Sequence, residues 1–75
     1  MNTNSFIEHF AEAIDIEASR LSTQTEFRHL EEWDSLAYMS VIAMIDEEYS
    51  MQIEQLEFKK LATLQDIIDY IEKSK

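Results

Sequence analysis

An all-α fold is predicted, and three observations predict it. The 75-residue chain has no glycine and no proline, the residues that tight hairpin turns demand. Its apolar residues, 45% of the total, recur at i, i+3, i+4 and i+7, the spacing of one helix face. Serine, threonine or aspartate stands ahead of the apolar stripes, where helices take their caps. Three main helices and a short fourth are expected to form a small antiparallel bundle, a single domain spanning residues 1–75.

The first helix is expected to start near Ser5, where Ser5 and Glu8 have the spacing of a capping box. Phe6, Phe10 and Ile14, with Ile7 and Ala11 beside them, supply its stripe. From Asp15 to His29 the periodicity is lost, and a long polar loop is expected, pinned by Ile16, Leu21, Phe27 and Leu30. Ordered loops of that length in small domains tend to be functional. The second helix is expected from Ser35 to Tyr49, capped by Asp34. At about 100° per residue, Tyr38, Met39, Val41, Ile42, Ile45 and Tyr49 gather on one side. The other side holds Leu36, Ala37, Ser40, Met44, Glu47 and Glu48, so Leu36 and Met44 are expected outside the core. A short turn of helix is placed around Glu54 to Phe58. The last helix runs from a Thr63 cap to Lys73, with Leu64, Ile67, Ile68 and Ile71 facing inward. Asp66 in its first turn and Lys73 in its last suit the helix dipole.

Sixteen acids against six bases give a net charge of −10. Nucleic acid and anionic membranes would repel such a surface, whereas a basic protein would complement it. No apolar run has the length of a membrane span or a signal-peptide core, so a cytoplasmic protein without membrane insertion is expected. With no cysteine, neither disulfides nor thiolate-bound zinc can support the fold, and packing must suffice.

Catalysis by the chain itself is not expected. A nucleophilic serine needs a base beside it and a group to orient that base. The two histidines, His9 and His29, come with no such pattern. Glu8, His9 and Glu12 share a helix, but adjacent residues point apart, so no metal site is expected there. Without glycine there is no phosphate-cradling loop of the common kinds. Between His29 and Phe58 there is no lysine or arginine, while Glu31, Glu32, Asp34, Asp46, Glu47, Glu48, Glu54 and Glu57 are all acidic. That block is either a solvated face or a docking surface for basic partners.

The junction Asp34-Ser35 admits two readings. Aspartate caps helices and serine suits the first turn, which alone would explain the pair. An exposed serine at a helix N-terminus, where free N–H groups favour an anion, with Leu36, Ser40 and Met44 running away from it, is also a place to attach something.

On these residues the chain resembles an acyl carrier protein. The family carries Asp-Ser-Leu at the start of its second helix, and Asp34-Ser35-Leu36 matches it residue for residue. The likeness extends through "TEFRHLEEWDSLA", "DSLAYMSVIAMIDEEY" and "TLQDIIDYIEK", nearly the whole chain. It implies that Ser35 is a covalent attachment point for 4′-phosphopantetheine, with Asp34 as the helix cap beside it. A phosphopantetheinyl transferase would add the arm from coenzyme A, and an acyl or aminoacyl ligase would load it as a thioester. Downstream transferases or synthases with basic docking surfaces would unload it. The carrier is expected to be a monomer. Leu36, Met39, Ser40, Met44, Glu47 and Glu48 are the expected docking residues. An unmodified acidic module that binds a basic partner is the alternative reading of the same bundle.

Two departures from the family pattern stand out. Glu32 occupies a position where the family usually has glycine, and Trp33 is expected to brace that turn by packing over the loop or the second helix. Ala37 and Ser40 stand where fatty-acid carriers tend to place acids, which points to a specialised pathway. Met39, Met44 and Met51 are soft side chains that either yield to a guest chain or fill irregular gaps.

Overall fold

A computed structural model describes residues 1–74 of the chain. Its four α-helices are α1 (Thr3–Ala13), α2 (Ser35–Tyr49), α3 (Gln55–Phe58) and α4 (Leu64–Lys73). The long connection between α1 and α2 holds two short 3₁₀ turns, Ala18–Arg20 and Phe27–His29, and there is no strand among the described residues. The all-α expectation therefore holds, and α2 and α4 have the bounds read from their caps.

The start of α1 differs from expectation. The cap is Asn2, whose Oδ1 accepts the Ser5 N–H at 3.0 Å. Asn2 is as good a cap as serine, and by acting earlier it draws Ser5 into the first turn. At the other end, Asp15 adopts a left-handed conformation with φ 59°, and Ser50 does the same after α2 with φ 52°. These are the places where chains normally use glycine. This chain has none, and short polar side chains stand in.

The core is aromatic at its centre. Phe6, Phe10, Phe27, Phe58, Val41, Ile45, Leu64, Ile67 and Ile71 are all but inaccessible. Phe27 belongs to the loop yet packs 5.9 Å from Phe10, 5.4 Å from Phe58 and 4.9 Å from Trp33, measured between ring centres. Leu21 also enters the core, while Ile16 and Leu30 are only half-buried. The loop is thus a structural layer against which α1, α3 and α4 pack.

Hydrogen bonds hold the loop to α4. Glu26 and Thr63 form an isolated antiparallel bridge. The Leu64 N–H donates to Thr25 O (3.3 Å) and the Gln65 N–H to Thr23 O (3.0 Å). Thr63 Oγ1 accepts the Asp66 N–H, and Asp66 Oδ2 accepts the N–H groups of Ala62 (2.8 Å) and Thr63 (3.1 Å). The first-turn donors that a helix leaves orphaned are all satisfied in α4.

Those backbone bonds hold the Asp66 carboxyl below its usual pKa of 3.8. A depressed carboxyl stabilises the fold above its unfolded-state pKa, and that contribution is lost as pH falls through the lower folded-state value. Asp66→Asn is expected to cost about 1 kcal/mol at neutral pH, or about 4–8 °C in melting temperature. The gap from wild type should stay constant down to the usual carboxyl pKa and close below it. Thermal melts from pH 7 to pH 3 test this, and a gap independent of pH would show that the charge contributes nothing.

The α2 face is rotated from expectation. Ala37, Val41, Met44 and Ile45 are buried, and Met39 is 64% exposed. Met44 and Ala37 were expected outside and Met39 inside. Apolar residues occupy almost every position from Leu36 to Ile45, so the helical wheel carries little directional information. Packing against α1 decides the orientation instead.

Candidate functional site

The site forms where the loop enters α2. Asp34 is extended (φ −152°, ψ −173°), and its Oδ1 accepts the Ala37 N–H at 2.8 Å. Its carbonyl accepts the Tyr38 N–H at 3.0 Å. The N–H groups of Ser35 and Leu36 have no acceptor among the described residues. The start of α4 is closed by the loop, whereas the start of α2 is open, and Ser35 is exposed there.

Ser35 lines a cleft of ≈ 540 Å³ between α2 and α3. Trp33, Tyr38, Met39 and Phe58 supply its apolar wall, and Arg28, Gln55 and Lys59 its polar part. Trp33 is sandwiched between Phe10 (6.1 Å, 5° between planes) and Phe58 (6.3 Å, 11°), with Phe27 against its edge. It therefore braces the turn against the loop, α1 and α3.

Glu32 explains how the turn manages without glycine. Positive φ occurs only at Asp15 and Ser50 among the described residues, so the backbone at position 32 is open to any residue type. Its carboxylate takes two hydrogen bonds from Arg20 (2.5 and 3.1 Å), linking the two ends of the loop. The Arg20 hydrogen bond holds the Glu32 carboxyl below its ordinary pKa.

Arg28 clamps α3. Its guanidinium donates to the Phe58 carbonyl at 2.6 Å and also to the Leu61 carbonyl. It lies over the rings of Phe27 (4.9 Å) and Phe58 (5.4 Å). The four-residue α3, too short to persist alone, is thereby fixed as one wall of the cleft. Arg28 gives no local sequence signal, because its partners lie thirty or more positions away. For the same reason, sequence reasoning missed Gln55 and Lys59 as cleft residues.

The remaining candidates separate. Leu36 is 73% exposed and shares the outer face of α2 with Met39, Ala43, Asp46 and Glu47. Ser40 is half-buried at its border. Met44 is only 8% exposed and cannot belong to a docking face as placed. Glu48 turns toward α1, where its Oε1 lies 3.7 Å from His9 Nε2. Neither His9 nor His29 lines the cleft at Ser35, so no histidine base attends the hydroxyl. No group of residues with metal-ligand character occurs among the described residues, nor is any described helix long and apolar enough to cross a membrane.

Comparison with known proteins bears on this geometry. Residues 4–71 match the family model described as a phosphopantetheine attachment site. An acyl carrier protein of Rubrobacter xylanophilus is 28% identical over 61 residues, covering 81% of this chain and 75% of that protein.

Proposed function

The chain belongs to the phosphopantetheine-attachment family of acyl carrier proteins, and on that premise we propose that Ser35 is its attachment residue. Family members are carriers of covalently bound 4′-phosphopantetheine and are not catalysts. One observation carries the assignment to Ser35. It is an exposed hydroxyl, next to the Asp34 cap, at a helix start with two unpaired N–H groups.

In the attachment step, Ser35 Oγ attacks the phosphorus of coenzyme A that bears the pantetheine. The Oγ–P bond forms as the bond to the departing adenosine 3′,5′-bisphosphate breaks. The serine proton goes to a base of the transferase, in keeping with a site where no histidine attends the hydroxyl. The free N–H groups of Ser35 and Leu36 favour the new anion by about 0.3–1 kcal/mol at an exposed helix end. The thiol of the arm then holds an acyl or aminoacyl group as a thioester.

In this reading the protein works as a cytoplasmic monomer that visits a transferase, a loading ligase and unloading enzymes in turn. Weak docking suits a shuttle that must leave after each step. The docking face is Leu36, Met39, Ala43, Asp46 and Glu47, with Ser40 at its edge. The first turns of α2 lack acids, which supports service in a specialised pathway. Incubation with coenzyme A and a broad-specificity phosphopantetheinyl transferase, followed by intact mass measurement, tests the assignment. One phosphopantetheine on wild type and none on Ser35→Ala is expected. Modification of the Ser35→Ala protein would move attachment to another residue and refute the assignment. No modification of wild type by several transferases would refute it in favour of an unmodified acidic module.

A further inference from the structure

From the lining of the cleft we infer that it receives cargo ending in a carboxylate, and that Lys59 selects that cargo. The inference rests on Ser35 being the attachment point. It starts from an inversion of charge. The chain carries a net −10, and two other hollows along α2 follow suit. One is lined by Asp46 and Glu54, another by Glu12, Glu47 and Glu48. The cleft at Ser35 instead holds two cations, Arg28 and Lys59, against one acid, Asp34, and Asp34 Oδ1 is committed to capping α2.

The basic side chains are in different states. Arg20 is bound to Glu32 and Lys60 to Glu57 at 3.1 Å. Lys59 has no acid within ion-pair distance among the described residues. Arg28 is immobilised by two carbonyls and two rings, yet a guanidinium has five N–H donors, so some remain for a guest. An unpaired lysine facing the apolar wall of Trp33, Tyr38, Met39 and Phe58 across one cleft complements a specific chemistry. The body of the cargo lies against Trp33, Tyr38, Met39 and Phe58, and its anionic end meets Lys59. A neutral alkyl chain would cover that ammonium and deprive it of water without replacing the lost hydrogen bonds. The volume of ≈ 540 Å³ is within the range of about 300–1,000 Å³ usual for small-ligand sites. The aromatic interior at Phe6, Phe10, Phe27 and Phe58 keeps a guest at this surface cleft.

The phosphodiester of the arm is also an anion, so the test includes an arm without cargo. Full-length protein is prepared with the free thiol arm, with butanoyl and with succinyl, two acyl groups of equal carbon count. Intact mass confirms each loading at Ser35. The reporters are the NMR signals of the Trp33 indole N–H and the Lys59 side chain, in wild type and in Lys59→Gln, a substitution at an exposed position. Succinyl is expected to shift both wild-type signals relative to butanoyl and the free thiol, and the Trp33 shift should be lost in Lys59→Gln. Identical spectra for succinyl and butanoyl would overturn the inference while leaving attachment intact. So would a full response already present with the free thiol, which would assign the anion to the phosphodiester, or a succinyl response unchanged by Lys59→Gln. Failure of the free-thiol arm itself to attach at Ser35 would overturn both readings, and the mass measurement separates that case from the others.

Discussion

Phe27→Ala is expected to leave the protein largely unfolded near physiological temperature, although Phe27 belongs to the loop. The ring is 0% exposed and touches Phe10, Trp33 and Phe58, while the Arg28 guanidinium lies over it at 4.9 Å. Removing it takes away the apolar area and leaves a cavity, together costing about 3–5 kcal/mol for a phenylalanine. At about 0.05–0.15 kcal/mol per residue, 75 residues yield a total stability of about 4–11 kcal/mol. One side chain therefore removes much or all of the margin. No disulfide is available to compensate. Urea or thermal unfolding followed by circular dichroism checks this. A midpoint lowered by about 12 °C or more is expected, at about 4–8 °C per kcal/mol. A shift of only a few degrees would mean that the loop is a passive connector. Phe27→Leu, which retains much of the volume, should fall between the two.

The second large effect concerns encounter with the transferase. Reversing Asp46 and Glu47 to lysine should lower its kcat/KM about tenfold or more at low ionic strength, since steering changes association rates by roughly 10–10³. The two acids share the outer face of α2 with Leu36 and Met39, and both are exposed, so the fold should tolerate the change. Added salt should narrow the gap, because the screening length shrinks from about 10 Å at 0.1 M to about 3 Å at 1 M. Each reversal adds two charges, taking the net from −10 to −6, and a control must match that. Asp69→Lys with Glu72→Lys on α4 does so at exposed positions. Equal losses from both pairs would assign the effect to net charge and remove the docking face on α2. Glu48, expected to act beside Glu47, is left out because its carboxylate faces His9.

These two predictions differ in how far they could be read from the sequence. The Asp34 and Thr63 caps and the stripe from Leu64 to Ile71 were legible because capping and periodicity act within a few residues. Asp34-Ser35-Leu36 was legible as a motif for the same reason. The cap of α1 was misplaced because Asn2 and Ser5 are both competent, and local rules do not rank them. The burial of Met44 and exposure of Met39 could not be read from a helix that is apolar nearly all round. Arg28 was invisible as a clamp, since the carbonyls it holds belong to a distant segment. Lys59 reads in the sequence as one more surface lysine.

The fold class, the bounds of α2 and α4, and the serine at the head of α2 follow from the order of residues alone. All of these depend on interactions between near neighbours in the chain. Which side of α2 meets solvent, what walls the cleft at Ser35 and which helix start stays open emerge from the packed fold. Those outcomes are set by how distant segments compete for the same core and the same orphaned N–H groups. The loop that satisfies α4 from Thr23 and Thr25 leaves the first N–H groups of α2 free beside Ser35.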